Sequence, residues 1–302
     1  MRGVTALFVL VACLLAPAPP AAAGQARPDE PAWPFVTTAW LGAHLDEPGL
    51  VVLHVGDRAE YDAAHIPGAR YLALDQISTP RGSGLSLQLP PVADLERAFE
   101  ALGVGDGGRV VLCLGKDWIS PMTRVFFTLD YLGYGDRTFV LDGGLPAWRT
   151  EGRATTTDVP PAAAGASLTP KPRPEIVADL EFVRANLDTR GLAVVDARLA
   201  EFYTGESDGR GRIPRPGHIA GARSLPFTDL AGDDGRFKSR EALAERFRQA
   251  GIGDGDTVVS YCHIGQQATV VYFAARLLGR QARLYDGSYE EWAARPDLPI
   301  AR

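Results

Sequence analysis

One cysteine stands where protein chemistry favours a reactive thiol. Cys262 follows an apolar run at 257–261, and the loop after it leads into a helical pattern over 269–278. A loop between strand and helix turns several backbone N–H groups inward, and the helix N-terminus adds partial positive charge. Both features favour the nucleophilic thiolate form of a cysteine, and Gly265 lets the loop curl. The pattern predicts Cys262 as a nucleophile supported by the loop amides of His263, Ile264, Gly265, Gln266 and Gln267.

A second interpretation of Cys262 is a buried cysteine at the end of a core strand, which is the commoner fate of a free cysteine. The strand–loop–helix position and the polar loop residues favour the catalytic interpretation. Cys113, in contrast, lies inside an apolar run, and aligning the two central runs puts Cys113 opposite Tyr261 and Leu114 opposite Cys262. We therefore expect Cys113 to be a core residue without a catalytic role.

The chain repeats itself once. His65-Ile66-Pro67-Gly68-Ala69 returns as His218-Ile219-Ala220-Gly221-Ala222, and each copy follows an apolar run and an aromatic residue. Each half then closes with an apolar run, an Asp-Gly turn and a tryptophan, at 139–148 and 283–292. His65 and His218 are interpreted as structural, each tying a turn to a backbone carbonyl.

Short Val- and Leu-rich runs that alternate with amphipathic stretches indicate parallel strands joined by helices. The predicted fold class is therefore α/β, with two tandem domains that are each an open parallel sheet with helices on both faces. We place the first half at 30–154 and the second half at 175–302. The Ala-, Pro- and Thr-rich stretch 155–174 between them is predicted to be a linker.

The N-terminus and the charge indicate an exported protein that binds small molecules. Residues 1–23 combine a positive start, an apolar centre and a small-residue end, which predicts a cleaved signal peptide and a periplasmic or secreted protein. Lipoprotein anchoring at Cys13 is the less favoured alternative. The formal net charge of −6 offers no basic field for nucleic acid. No membrane span is expected in the mature chain, and nothing in it requires more than a monomer.

The paired His-Ile-x-Gly-Ala motifs, Asp196-Ala197-Arg198, the Cys262 loop and the two Asp-Gly turns together resemble the tandem rhodaneses, over about 36–292. That family includes thiosulfate and 3-mercaptopyruvate sulfurtransferases. The resemblance implies an inactive first half and a catalytic second half, and a sulfur that passes through a persulfide on Cys262 to a thiol or cyanide. It also implies no cofactor and no metal. Phosphatases of this fold need an arginine where this chain has Ala268, so phosphate ester hydrolysis is not expected.

The resemblance also suggests which residues bind the donor. Arg198 is the expected substrate-binding arginine, Arg212 and Arg215 are further candidates, and Asp196 is expected to orient the loop or Arg198. Thiosulfate enzymes of the family tend to have Cys-Arg-Lys-Gly-Val-Thr, and mercaptopyruvate enzymes Cys-Gly-Ser-Gly or Cys-Gly-Thr-Gly. The Cys262 loop shares only Cys262 and Gly265 with each of these two patterns. Its His263 can become cationic on acidification, and Ile264 makes a serine-based proton relay doubtful, so thiosulfate is preferred to 3-mercaptopyruvate.

Two other functions stay open on the sequence. One is a non-enzymatic carrier or binding module that accepts persulfide sulfur from a partner. The other is a thiol redox protein that pairs Cys262 with Cys113.

Overall fold

The computed structural model describes residues 33–80, 82–163 and 165–302. The described residues belong to one compact unit. The predicted signal peptide, its cleavage site and Cys13 lie outside the described residues. No helix in the described part of the chain is both long and apolar enough to cross a membrane.

The first half is built on a five-stranded parallel sheet. Its strands are β1 (Phe35–Val36), β2 (Leu50–Val55), β3 (Arg70–Tyr71), β4 (Arg109–Leu114) and β5 (Thr138–Leu141). Its helices are α1 (Thr38–His44), α2 (Arg58–Ala63), α3 (Val92–Ala101), α4 (Ile119–Tyr131) and α5 (Gly144–Thr150). The strand order is β1-β5-β4-β2-β3, so the longest apolar strands, β2 and β4, lie inside the sheet.

The second half repeats this plan. Its strands are β6 (Val177–Ala178), β7 (Leu192–Asp196), β8 (His218–Ile219), β9 (Arg223–Ser224), β10 (Thr257–Tyr261), β11 (Ala282–Tyr285) and β12 (Ile300–Ala301). Its helices are α6 (Leu180–Ala185), α7 (Ala200–Tyr203), α8 (Arg240–Gln249), α9 (Ala268–Leu277) and α10 (Ser288–Ala293). The parallel sheet has the order β6-β11-β10-β7-β9, and β8 pairs antiparallel with β12 beside it.

Polar residues at the helix starts explain where several helices begin. Thr37, Asp57, Asp179 and Ser239 each accept a hydrogen bond from the amide three residues further on. Each bond satisfies a donor that has no partner inside the helix.

Helices cover both faces of each sheet, as predicted. On the outer faces, α1 and α5 pack on the first sheet, and α6 and α10 pack on the second. On the inner faces, α3, α4, α8 and α9 contribute to a single core that runs through both halves. Its centre is the contact of α4 with α9, where Phe126 and Phe273 meet edge-on with ring centroids 4.6 Å apart.

The strand register relates the halves residue by residue. Leu50 on β2 lies opposite Arg109 on β4, and Leu192 on β7 lies opposite Thr257 on β10. Counting forward from these pairs places Leu114 where the second half has Cys262, which confirms the alignment made from the sequence. Alternation along the strands then sends Cys262 into the shared inner core, whereas Cys113 belongs to the outer core of the first half.

The stretch 155–174 lies along the first half. Thr156 and His65 exchange two backbone hydrogen bonds of 2.9 Å. The carbonyl of Ser167 accepts from the Asp106 amide at 2.8 Å, and the amide of Lys171 donates to the Leu132 carbonyl at 2.9 Å. Main-chain bonds therefore hold this linker against the domain it leaves, and the domain boundaries given above stay predictions.

Candidate functional site

The loop from Cys262 to Gln267 lies at the carboxyl end of β10, where ligands bind in open parallel sheets. β10 delivers Cys262 from the middle of the sheet, and α9 begins at Ala268. Cys262 is 1% exposed and lines a cavity of about 220 Å³, which we call the Cys262 cavity. The thiol is a free cysteine, so it is enclosed by protein but opens onto a space large enough for a small sulfur compound.

The loop amides are the site's clearest chemical feature. Among the residues that the structure describes, the N–H groups of 263–267 donate to no protein acceptor. Gly265 adopts φ +81°, and a Cβ there would lie 3.0 Å from the carbonyl oxygen of Asp286. Glycine is therefore needed for the loop to turn back beside that residue. Unpaired amides gathered in one loop are ready to bind an anion.

The Asp-Gly-Ser turn and the start of α10 hold Cys262 from behind. The Cys262 amide donates to Ser288 Oγ at 3.3 Å, and the Ser288 hydroxyl donates to the Tyr285 carbonyl at 2.9 Å. The carbonyls of Cys262 and His263 accept from the amides of Tyr289 and Glu290 at 2.9 and 3.0 Å. In the sequence this turn was only one element of the repeat, and its contacts show that it positions the Cys262 main chain.

Arg124, on α4 of the first half, fastens the loop from the other side. Its side chain is fully buried, and Nη1 lies 2.7 Å from Asp286 Oδ1 and 3.1 Å from the carbonyl oxygen of Gly265. Nη2 donates to the carbonyl of Leu87 at 2.5 Å. The sequence analysis missed Arg124 because it lies 162 positions from Asp286, and no local pattern marks the pair.

The first half also supplies a wall of the Cys262 cavity. Asp117, Trp118 and Ser120 line it together with Phe227 of the second half. Trp118 is 63% exposed and meets Phe227 edge-on at 6.0 Å, and Gln266 Nε2 donates to Ser120 Oγ at 3.1 Å. The halves therefore build the site jointly.

Arg198 is buried and paired with Asp196. The carboxylate accepts from Arg198 Nε at 2.9 Å and from Nη2 at 2.6 Å, and both side chains are fully buried. Tyr261 Oη donates to the same carboxylate at 2.8 Å, and the guanidinium lies 3.9 Å from the centre of the Tyr289 ring. Asp196 thus orients Arg198 as expected. Nη2 of Arg198 also donates to the carbonyl of Gly217 at 2.7 Å, whereas Nη1 is buried without a hydrogen-bond partner among the described residues. A substrate-binding role for Arg198 stays a prediction.

The other two predicted arginines differ in their placement. Arg212 is exposed and lines a larger cavity of about 640 Å³, next to His263 and Ile264; we call this space the Arg212 cavity. Arg215 instead donates to the backbone carbonyls of Arg295 and Leu298, which lie near the C-terminus. Of the two, Arg212 is the one placed to meet a ligand.

The predicted histidines fall into two classes. His65 Nδ1 lies 2.7 Å from the carbonyl of Tyr61, and His218 Nδ1 lies 2.8 Å from that of Tyr203, with each ring stacked on the same tyrosine. Their structural role is confirmed. Burial is the main cause that lowers the pKa of His263 to about 4, and the positive charge of Arg198 adds to it. His263 is therefore neutral at physiological pH, and it does not supply the cationic charge considered from the sequence.

Comparisons with known proteins agree with this picture. The model of the rhodanese-like domain matches residues 37–151 and 179–295. A probable 3-mercaptopyruvate sulfurtransferase of Pseudomonas aeruginosa is 35% identical, covering 88% of this chain and 97% of that protein. The mitochondrial thiosulfate/3-mercaptopyruvate sulfurtransferase 1 of Arabidopsis thaliana is 31% identical, covering 88% and 78%. The sulfur carrier protein TtuD of Thermus thermophilus is 32% identical, covering 92% and 99%.

Solved structures show the same fold at lower identity. The structure of YnjE aligns with a TM-score of 0.79 at 23% identity, covering 88% of this chain and 68% of that one. Wild-type EanB aligns with a TM-score of 0.78 at 23% identity and the same coverage.

Proposed function

The chain belongs to the rhodanese family, and on that premise we propose that it is a sulfurtransferase that carries sulfur on Cys262. The donor is thiosulfate or 3-mercaptopyruvate, and the acceptor is a thiol or cyanide. Relatives named for both donors support this substrate class. The observation that carries the proposal is the set of unpaired amides at 263–267, next to a thiol that opens onto the Cys262 cavity.

The reaction has two displacement steps at sulfur. The Cys262 thiolate attacks the outer sulfur of the donor, and a new S–S bond forms while the donor's bond to that sulfur breaks. Thiosulfate then leaves as sulfite, or mercaptopyruvate as the enolate of pyruvate, which takes up a proton. In the second step the acceptor attacks the outer sulfur of the persulfide, and the electron pair of the S–S bond returns to Cys262.

The loop explains how the protein stabilises the intermediate. A persulfide carries negative charge on its outer sulfur, and inward-facing amides can donate hydrogen bonds to it without any rearrangement of the backbone. Arg124, Asp286 and Ser288 keep these amides in place before the donor arrives. Catalysis here requires charge stabilisation and orientation, both of which the main chain supplies.

The test is turnover with each donor. Purified protein with thiosulfate and cyanide is expected to form thiocyanate, and 3-mercaptopyruvate measured alongside ranks the two donors. Cys262→Ser is expected to abolish activity with both. Mass spectrometry after exposure to labelled donor should find one added sulfur, on Cys262. Inactivity of the wild type with both donors, or labelled sulfur on another residue, would contradict the proposal.

The carrier hypothesis has a specific observation in its favour, the relative named as a sulfur carrier protein. It predicts that Cys262 is loaded with sulfur but that no free thiol or cyanide discharges it at a catalytic rate. A protein partner would then be needed for discharge. Measuring loading and discharge separately distinguishes this hypothesis from the enzyme.

The redox hypothesis is disfavoured by geometry. Cys113 is fully buried in the outer core of the first half, and burial raises the pKa of its thiol to about 12. Cys113 therefore stays protonated at neutral pH and is a poor partner for thiol–disulfide exchange. Cys113→Ser should keep wild-type turnover. An equal loss of activity in Cys113→Ser and Cys262→Ser would restore the redox hypothesis.

We also propose export to the periplasm or beyond, with cleavage after residue 23, and a monomeric mature protein. Sequencing the N-terminus of protein recovered from a periplasmic fraction tests the cleavage site. Light scattering tests the mass in solution.

A further inference from the structure

The Arg212 cavity is too large for the small donors named above. Its volume of about 640 Å³ falls in the range of about 300–1,000 Å³ that is typical of sites for drug-sized molecules. Thiosulfate and 3-mercaptopyruvate each have fewer than about ten non-hydrogen atoms and match the 220 Å³ of the Cys262 cavity better. The larger space therefore suits a second, bulkier reactant.

The two cavities meet at the catalytic loop. His263 and Ile264 line both of them. Tyr289, on the wall of the Arg212 cavity, donates its amide hydrogen bond to the carbonyl of Cys262 at 2.9 Å. A molecule in the Arg212 cavity thus contacts His263, the residue that follows Cys262 in the chain. Use of this cavity in the reaction requires a short reactive arm that extends past His263 and Ile264 to the sulfur.

The lining of the Arg212 cavity is apolar with aromatic surfaces. Phe202 lies edge-on to the neutral His263 ring at 4.6 Å, and Ile213 and Ala293 add aliphatic surface. Such a lining favours a ligand with a flat apolar body.

One cation and one anion line this cavity, and they are not equally free to bind a ligand. Glu290 accepts from the Ser86 amide at 2.7 Å and from the Ser86 hydroxyl at 3.0 Å, so both carboxylate oxygens have partners. Arg212 donates Nε to the carbonyl of Gly209 at 2.9 Å. Within the described part of the chain, Arg212 forms no ion pair, and its Nη groups donate to no protein acceptor. A single guanidinium with free donors selects one carboxylate.

We propose that the Arg212 cavity is the acceptor site, and that the acceptor is a small-molecule thiol with an aryl-sized apolar body and one carboxylate. This inference rests on the proposed function and names the substrate class of its second step. The acceptor thiolate attacks the outer sulfur of the Cys262 persulfide and forms a new S–S bond. The bond from that sulfur to Cys262 breaks, its electron pair returns to the Cys262 thiolate, and the acceptor leaves as a persulfide.

The experiment discharges sulfur-loaded protein with four acceptors in single turnover. They are 4-(mercaptomethyl)benzoate, neutral phenylmethanethiol, small 3-mercaptopropionate and cyanide; the three thiols are alkyl thiols. Burial of the ring predicts that the benzoate thiol discharges Cys262 roughly 10- to 100-fold faster per molar concentration than 3-mercaptopropionate. Because its carboxylate can pair with Arg212, we expect the benzoate thiol to discharge Cys262 faster than phenylmethanethiol does as well.

Variants locate the effect. Ile213→Trp fills the cavity from a surface loop and should lower the benzoate-thiol rate relative to the cyanide rate by about tenfold or more. Arg212→Gln should remove the preference for the carboxylate, and Arg212→Lys should restore part of it. Ala63→Trp, on the exposed face of α2, is the matched control and should leave all ratios as in the wild type.

A second measurement separates this proposal from the proposed function. Calorimetry of unloaded protein with 4-methylbenzoate, which has no thiol, should show binding that Arg212→Gln and Ile213→Trp weaken. If donors fail to load Cys262, the proposed function fails, and this titration still decides whether the cavity binds aryl carboxylates. Absence of binding overturns the inference. Equal discharge by benzoate thiol and 3-mercaptopropionate, or unchanged ratios in Ile213→Trp, overturns it as well.

Discussion

The two halves share one strand register but differ in what their central loops do with backbone amides. In the second half, the amides of 263–267 have no protein acceptor among the described residues. In the first half, the corresponding loop follows Leu114, and its amides are occupied. Gly115 donates to the Val55 carbonyl at 2.9 Å, and Lys116 donates to the carboxylate of Glu60.

The next two amides of this first-half loop are also satisfied. Asp117 donates to the Gly115 carbonyl at 3.0 Å, and Trp118 donates to the side chain of Asp117 at 2.6 Å. The first-half loop thus has a leucine in place of the cysteine, and its own carbonyls and carboxylates also occupy the amides that an anion would need. If Cys262 carries sulfur as proposed, the comparison indicates that an active loop of this fold combines a thiol with amides left without internal partners.

At equivalent turns, an aspartate of each half forms an ion pair with an arginine of the other half. Asp286 pairs with Arg124 from the first half, and Asp142, at the matching position, pairs with Arg236 from the second half. The first pair is buried, whereas Arg236 and Asp142 are 44% and 47% exposed. The same turn therefore holds the Cys262 loop in the second half and makes only a surface contact in the first half.

The largest expected effect comes from moving the nucleophile. Leu114→Cys combined with Cys262→Ser places a thiol at the matching position of the first half. We expect thiocyanate formation to stay at least about 10³-fold below wild type, because the surrounding amides already donate to protein acceptors and cannot stabilise a persulfide. Recovery of turnover in this double variant would break the comparison. Thiol titration of the folded protein controls for placement of the new cysteine.

The second effect concerns the buried pair. Arg124→Met leaves the carboxylate of Asp286 without its cation and should lower the free energy of unfolding by about 3–5 kcal/mol. Displacement of the loop should also lower kcat by about 10- to 100-fold with little change in KM. Arg124→Lys should recover part of both, since a lysine keeps the charge but cannot make the forked contacts. Urea titration and steady-state kinetics measure the two quantities.

Arg236→Met is the matched control for that experiment. The exposed pair with Asp142 should contribute less than about 1 kcal/mol, and kcat should stay at the wild-type value. Similar losses of unfolding free energy and of kcat in the two variants would show that the two ion pairs contribute equally, whether buried or exposed.

A smaller effect concerns His54, which lies where the second half has Asp196. The ring is fully buried, its two nitrogens have no hydrogen-bond partner among the described residues, and burial is the main cause that lowers its pKa to about 4. The unfolded chain binds a proton at His54 below pH 6.5, whereas the folded chain does so only near pH 4. This group should therefore reduce the free energy of unfolding by roughly 2–3 kcal/mol between pH 7.5 and 4.5.

His54→Leu should remove that part of the pH dependence. Urea titrations of wild type and variant at the two pH values measure it, with the variant losing less stability on acidification. Parallel pH profiles for the two proteins would contradict the assignment.

The sequence predicted those parts of the molecule that depend on local pattern and on repetition. Apolar runs and the two His-Ile-x-Gly-Ala motifs were enough for the parallel sheets and for the equivalence of Leu114 and Cys262. Cys262 could be singled out because its loop has a recognisable context. The resemblance suggested that Asp196 orients the loop or Arg198.

Contacts between distant segments could not be predicted in this way. In the sequence, Arg124 is one of two charged residues in a mostly apolar helix, and only the packing of α4 on α9 brings it to Gly265 and Asp286. The fate of Arg215 depends on backbone carbonyls near the C-terminus. The wall formed by Trp118 and Phe227 joins residues from opposite halves.

The continuous inner core has a consequence for how this protein can be divided. Every residue of α9 from Ala268 to Ala275 is buried, against its own sheet on one side and against α4 on the other. A fragment comprising 175–302 alone would present the apolar flank of α9 to water and would lack the guanidinium that neutralises Asp286. Gene truncation at the linker should therefore yield an insoluble product, and we expect the two halves to fold only together.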